Sequence, residues 1–94
     1  MSLLDELRHK KNEILRIAGE YGVSNIRIYG SAARQEETAD SDVDLLVDIE
    51  KTKSLFDLIA FKNEVESLLG RKVDVGTGIH PYVEKQVMKD IVQL

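Results

Sequence analysis

Apolar residues change their spacing several times along the chain, and each change predicts an element. Leu3, Leu4, Leu7, Ile14, Leu15, Ile17, Ala18 and Tyr21 fall roughly on one helical stripe. Ser2 is placed to cap that helix with Asp5 in the reciprocal position, and Gly22 is read as its stop. Ile26 and Ile28 then alternate with Arg27 and Tyr29, which predicts a short strand ending at Gly30. Ser31 stands where it can cap a short helix over 31–37. The clearest strand spans 42–49: Val43, Leu45, Val47 and Ile49 take one face, and Asp42, Asp44, Leu46 and Asp48 the other. Ser54 and Asp57 open a second long helix with Leu55, Leu58, Ile59, Val65, Leu68 and Leu69 inward, and Gly70 closes it. Val73 and Val75 flank Asp74 in a third strand. Pro81 suits the first turn of a last helix carrying Val83, Val87, Met88, Ile91 and Val92. The order α-β-α-β-α-β-α predicts an α/β (α+β) domain, one small sheet with helices packed against it.

Length and composition narrow the classes. A chain of 94 residues suits one domain, spanning 1–94, with a thin core. The hydrophobic fraction of 43% and charged fraction of 32% fit a soluble globular protein. No apolar run approaches the roughly 20 residues of a membrane span, and the N-terminus carries acids where a signal peptide would carry bases. The chain has no cysteine, which excludes disulfides and zinc–thiolate sites and fits a reducing cytoplasm. The formal charge of -4 predicts no strong basic footprint for nucleic acid. If phosphates are handled, metal ions and a local loop must do it.

Candidate chemistry gathers around three aspartates. Asp42 and Asp44 are two apart on a strand, so both side chains leave one face. Two carboxylates held close repel each other unless a cation compensates. Magnesium prefers carboxylate oxygen and commonly takes a few carboxylates plus substrate phosphates. Alone, such a pair is also what an ordinary surface strand carries. Upstream, Gly30-Ser31 stands where a strand ends and a helix opens. A glycine lets the backbone approach a phosphate, and a helix N-terminus offers free N–H groups. Ser31 is read as a helix cap, a phosphate ligand, or both. Arg34, one turn later, is either a solvated side chain or within reach of the same phosphates. Asp74 interrupts an apolar strand; if that strand lies beside 42–49, the three acids converge and suit a two-metal arrangement.

At these residues the chain resembles a family. Gly30-Ser31-Ala32-Ala33-Arg34, followed by Asp40-Ser41-Asp42-Val43-Asp44-Leu45-Leu46-Val47, is similar to the paired signature of the minimal nucleotidyltransferases. These belong to the DNA polymerase beta-like nucleotidyltransferase superfamily. Lys72-Val73-Asp74-Val75 resembles the strand that bears the family's third carboxylate. The resemblance implies a small mixed sheet of the polymerase beta palm type. It implies Asp42, Asp44 and Asp74 as catalytic and metal-binding residues, two Mg2+ ions, and Gly30, Ser31 and Arg34 as nucleotide-binding residues. Two segments depart from the pattern. Gln35, followed by Glu36 and Glu37, stands where members often have a glycine, which bears on the nucleotide pose. Val75-Gly76-Thr77-Gly78 is richer in glycine than the usual apolar continuation and is read as a turn beside the site, with a phosphate loop as the alternative.

The resemblance also implies a role: small members are commonly encoded beside an all-helical HEPN ribonuclease. Some transfer AMP from ATP to a tyrosine of that toxin, acting as its antitoxin. An alternative is a binding antitoxin that neutralises a helical partner by contact, with weak or absent catalysis. A third reading, transfer to a small molecule or an RNA end, is disfavoured by the acidic charge. Self-association is left open. His80 is read as a helix-entry residue, Asp48 as facing solvent or a basic neighbour, and Lys51, Lys53, Arg71 and Lys72 as solvated charges, one of which could meet a triphosphate. Tyr29 and Tyr82 are read as packing residues, with base stacking as the alternative.

Overall fold

A computed structural model describes residues 3–30, 42–77 and 91–94. Within them, two helices, α1 (Leu3–His9) and α2 (Lys11–Glu20), lead into strand β1 (Val23–Tyr29). Strand β2 (Val43–Ile49), helix α3 (Leu55–Leu69), strand β3 (Val73–Gly76) and a short strand β4 (Val92–Gln93) follow. The strands form one sheet in the order β3-β2-β1-β4. β2 runs antiparallel to β1 and parallel to β3, so the sheet is mixed as expected. The expected helix over 31–37 lies outside the described residues, as do the Ser2 cap and residues 81–90 of the last helix. Ile91 and Val92 do not continue a helix: Val92 pairs with Ile28 in β4, antiparallel to β1.

The core lies on one face of the sheet. Val43, Leu45 and Val47 of β2, Ile26 and Ile28 of β1 and Val73 of β3 are buried with Phe61, Val65 and Leu69 of α3 and Ile14, Ile17 and Ala18 of α2. The period of two in β2 and the period near four in α3 bring these side chains to one interface. Two expectations for the helices fail. The first helix is interrupted at Lys10, which takes φ -98° and ψ 11°. Between Leu7 and Ile14 every residue is polar, so no apolar side chain ties that turn to the core. Lys10 instead donates from Nζ to the Leu68 carbonyl at 2.9 Å, near the C-terminus of α3, where a cation offsets the helix dipole. Leu15, expected inward, is 42% exposed.

In α3 the inward residues differ from the expected set. Leu55 and Ile59 are 68% and 43% exposed, whereas Phe61, not expected inward, is fully buried. Leu55, Phe56 and Ile59 thus leave an exposed apolar surface near the start of α3 among the described residues. The ends of α3 are as expected. Asp57 Oδ2 accepts from the Ser54 backbone N–H at 2.9 Å, and Gly70 closes the helix at φ 67°. No helix among the described residues is long and apolar enough to cross a membrane.

Candidate active site

The topology carries widely separated positions to one end of the sheet. β1 ends where β2 begins, because the two are antiparallel; β3 begins beside β2, because α3 returns the chain to the same end. The register then pairs Tyr29 with Asp44 and Asp44 with Asp74. Paired residues on neighbouring strands point to the same face, so Tyr29, Asp44 and Asp74 form a row across three strands. Neighbouring strands lie about 4.8 Å apart, which sets the scale of the row. The row occupies the face opposite Val43, Leu45 and Val73, away from the helical core. Asp42 immediately precedes β2 and is exposed; a position two residues before Asp44 lies about 7 Å along the strand.

Asp44 is half-buried and Asp74 exposed. Gly30 follows β1 at φ 74° and abuts Asp44: a Cβ at Gly30 would lie 2.5 Å from Asp44 Oδ2. A glycine is therefore required there twice over, for the left-handed backbone and for the space that the Asp44 carboxylate fills. The Tyr29 phenol is held above its ordinary pKa, first by burial and then by the negative charges of Asp44 and Asp74. That electrostatic link places all three groups in one local field. Signals for this role were present in the alternation of β1, which puts Tyr29 on the face opposite Ile26 and Ile28.

The structure thus brings Gly30, Asp44 and Asp74 together and leaves Asp42 at the open end of the same strand. Ser31 and Arg34 lie outside the described residues, as do Asp40, Ser41, His80 and Tyr82. Asp48 lies at the far end of β2. Its Oδ1 meets Arg27 Nη2 at 3.0 Å and its Oδ2 accepts from Asn25 Nδ2 at 3.0 Å, so it serves the sheet rather than the acidic row. Asn25 in turn receives a bond from Gln93 Nε2 at 3.0 Å, which ties β4 to the bulge in β1.

The donors suit a hard divalent cation, since each is a carboxylate on one face of rigid strands. Among the described residues no three carboxylate or imidazole side chains stand close enough together to hold an ion unaided. This is compatible with magnesium, which is commonly held by one or two carboxylates, with water and substrate phosphates completing its octahedron.

A mixed sheet with this acidic row and an abutting glycine turn suits metal-dependent phosphoryl transfer, and the comparisons give the class. The family model described as a nucleotidyltransferase domain matches residues 9–93. The chain belongs to this family, and its enzymatic class is nucleotidyltransferase. It is 40% identical over 86 residues to a provisionally assigned protein adenylyltransferase of Methanocaldococcus jannaschii, covering 89% of this chain and 92% of the relative. It is similar to the solved structure of a provisionally assigned minimal nucleotidyltransferase, with a TM-score of 0.85 and 35% identity, covering 100% of this chain and 97% of that one. It also shares the fold of a toxin–antitoxin crystal structure with AMP-PNP, with a TM-score of 0.72 and 20% identity, covering 88% of this chain and 70% of that one.

Proposed function

We propose that the chain is a magnesium-dependent protein adenylyltransferase that moves AMP from ATP to a tyrosine hydroxyl of a HEPN-type helical toxin and acts in the cytoplasm as its antitoxin. The observation that carries this reading is the register that sets Asp44 beside Asp74, with Gly30 packed on the Asp44 carboxylate. Relatives named as protein adenylyltransferases support the transfer of an adenylyl group to protein. The toxin–antitoxin neighbour with AMP-PNP supports both the nucleotide and the kind of partner.

On this reading Asp42, Asp44 and Asp74 hold the metal, with two ions as the expected number. Magnesium bound there would neutralise the triphosphate and acidify the attacking hydroxyl. Gly30, Ser31 and Arg34 hold the nucleotide phosphates. Asp74, on the outer strand, orients the acceptor oxygen for in-line attack on the α-phosphorus. The new O–P bond forms as the bond to pyrophosphate breaks, with no covalent intermediate on the protein.

The test is intact mass spectrometry of the chain mixed with the helical protein encoded beside it, magnesium and each NTP in turn. A nucleotidyl mass gain on the partner with ATP, abolished by Asp44→Asn, is expected. A second reading, neutralisation by contact, draws on the apolar surface at the start of α3, where Phe56 is 82% and Leu55 68% exposed. Protection that survives replacement of both Asp42 and Asp44 by Asn would favour it.

A further inference from the structure

Tyr29 stands in the acidic row with a hydroxyl that the fold does not use. The register fixes it opposite Asp44 and, one strand further, in line with Asp74. Ile26 and Ile28 take the core face of β1, so Arg27 and Tyr29 take the open one. Gly30, directly after Tyr29, abuts the Asp44 carboxylate and holds that end of the strand against β2. The phenol senses the charges of both Asp44 and Asp74, so it lies in the field of the row.

Tyr29 is half-buried, yet its hydroxyl makes no hydrogen bond among the described residues. A buried tyrosine hydroxyl usually finds a partner, as that of Tyr21 does in Glu64. Of the three side chains in the row only Tyr29 can donate, because ionised carboxylates only accept. A phenol keeps its proton at neutral pH, so the donor is present there. Arg27, the other residue of β1 on this face near the row, is already engaged. Its Nη2 meets Asp48 Oδ1 at 3.0 Å and its Nε donates to the Asn25 carbonyl at 3.1 Å. Among the described residues of β1, Tyr29 is therefore the side-chain donor left open beside the acids.

We infer that the Tyr29 hydroxyl binds the nucleotide, donating a hydrogen bond to a non-bridging oxygen of the triphosphate held over Asp44 and Asp74. The inference rests on the reading of this row as the site of nucleotidyl transfer, and adds to it a phosphate contact beyond Gly30, Ser31 and Arg34. A phosphate oxygen suits the donor better than a base does, because it is anionic and the bond to it is charge-assisted. The neighbouring carboxylates repel phosphate unless a cation stands between them, whereas a neutral donor attracts it directly. The ring is carried on a strand, so little freedom is lost when the nucleotide arrives.

The test is isothermal titration calorimetry of the full chain with magnesium and α,β-methylene-ATP, which cannot release pyrophosphate, together with phosphorus NMR of the saturated complex. Tyr29→Phe removes only the hydroxyl. It should bind the analogue about tenfold or more weakly and move at least one bound phosphorus resonance. Without nucleotide it should melt within about 2 °C of the parent chain, because the hydroxyl has no partner to lose. Tyr29→Leu, which removes the ring as well, should bind within about twofold of Tyr29→Phe. Unchanged affinity in Tyr29→Phe with a loss in Tyr29→Leu overturns the inference, since the ring would then act by stacking. A loss of affinity with every phosphorus resonance unmoved also overturns it, since the hydroxyl would then meet the sugar or the base. So does a larger fall in melting temperature, which would give the hydroxyl a structural partner. No binding by the parent chain overturns the inference together with the reading it rests on, whereas binding indifferent to Tyr29 overturns the inference alone.

Discussion

Gly30 and Gly70 provide a matched pair for testing how Asp44 is held. Both take a left-handed backbone, at φ 74° and 67°. An alanine Cβ at Gly70 would meet nothing within 4 Å, whereas at Gly30 it would lie 2.5 Å from Asp44 Oδ2 and 3.4 Å from Asp44 Cγ. Gly70→Ala therefore carries only the backbone term, about 1–2 kcal/mol for a non-glycine residue in that region. Gly30→Ala carries the same term plus displacement of the Asp44 carboxylate, about 0.5–1.5 kcal/mol for a side chain forced off its rotamer. At about 4–8 °C per kcal/mol for a domain of this size, Gly30→Ala should melt roughly 2–12 °C below Gly70→Ala. Activity separates them further. A reacting group misplaced by about 1 Å can cost about a hundredfold in rate, so Gly30→Ala should lose about that factor while Gly70→Ala stays within about twofold. The assay is circular-dichroism melting beside a transfer assay on the same preparations. Equal loss of activity in the two variants, or full activity in Gly30→Ala, would refute the packing of Gly30 on Asp44 as the reason for a glycine there.

Three further outcomes follow from the geometry. Phe61, fully buried, should cost about 3–5 kcal/mol on truncation to alanine, whereas Phe56, 82% exposed, should stay within about 0.5 kcal/mol; urea unfolding of both distinguishes them. In a chain carrying Tyr21→Phe and Tyr82→Phe, the Tyr29 phenol should titrate above the ordinary value, as followed by absorbance at about 295 nm, and Asp44→Asn should move it back toward about 10. Because the folded pKa is raised, the associated stability is present below the unfolded value and is lost as pH climbs through the folded one, so alkaline unfolding should begin above about pH 10. Asp48→Ala should cost about 1 kcal/mol or less, as an exposed ion pair does, and leave transfer unchanged; a large loss of transfer would place Asp48 in the site after all.

Strands β1 to β3 and the acidic row were legible in the chain because apolar and polar residues alternate over most of each strand, Leu46, buried on the acidic face of β2, being the exception there. Val43, Leu45 and Val47 against Asp42, Asp44 and Asp48 leave one assignment of faces. The helices were less legible for a physical reason. The segment from Leu55 to Phe61 is apolar on most sides, so a period alone does not say whether Leu55 and Ile59 or Phe61 turn inward; the packing of Phe61 with Val65 and Leu69 into the common core decides it. The break at Lys10 depends on a contact from a distant part of the chain, the Leu68 carbonyl, that no local pattern announces. The fourth strand was hidden for a similar reason. Val92 stands four residues after Met88, a helical spacing, and its pairing with Ile28 and the Gln93–Asn25 bond show instead that the chain returns to the sheet edge. Tyr29 was visible as a residue, but its relation to the acids required the register.

That register accounts for a site built from such separated segments. An antiparallel turn-back places the last residues of β1 beside the first residues of β2, so whatever follows Tyr29 must meet whatever opens β2. A parallel return through α3 places the start of β3 at that same end, so the offset pairing Val43 with Val73 necessarily pairs Asp44 with Asp74. A one-residue slip of β3 would send Asp74 to the core face and turn Val73 or Val75 toward the acids. The burial of Val73 beneath α3 opposes that slip, because a slipped strand would desolvate a carboxylate and expose a valine. The Glu66 bond to the Val73 N–H adds a second lock, from the helix that makes the crossover. The hydrophobic core therefore does chemical work at a distance: by fixing which residue of β3 lies beside Asp44, it determines that the neighbour is a carboxylate.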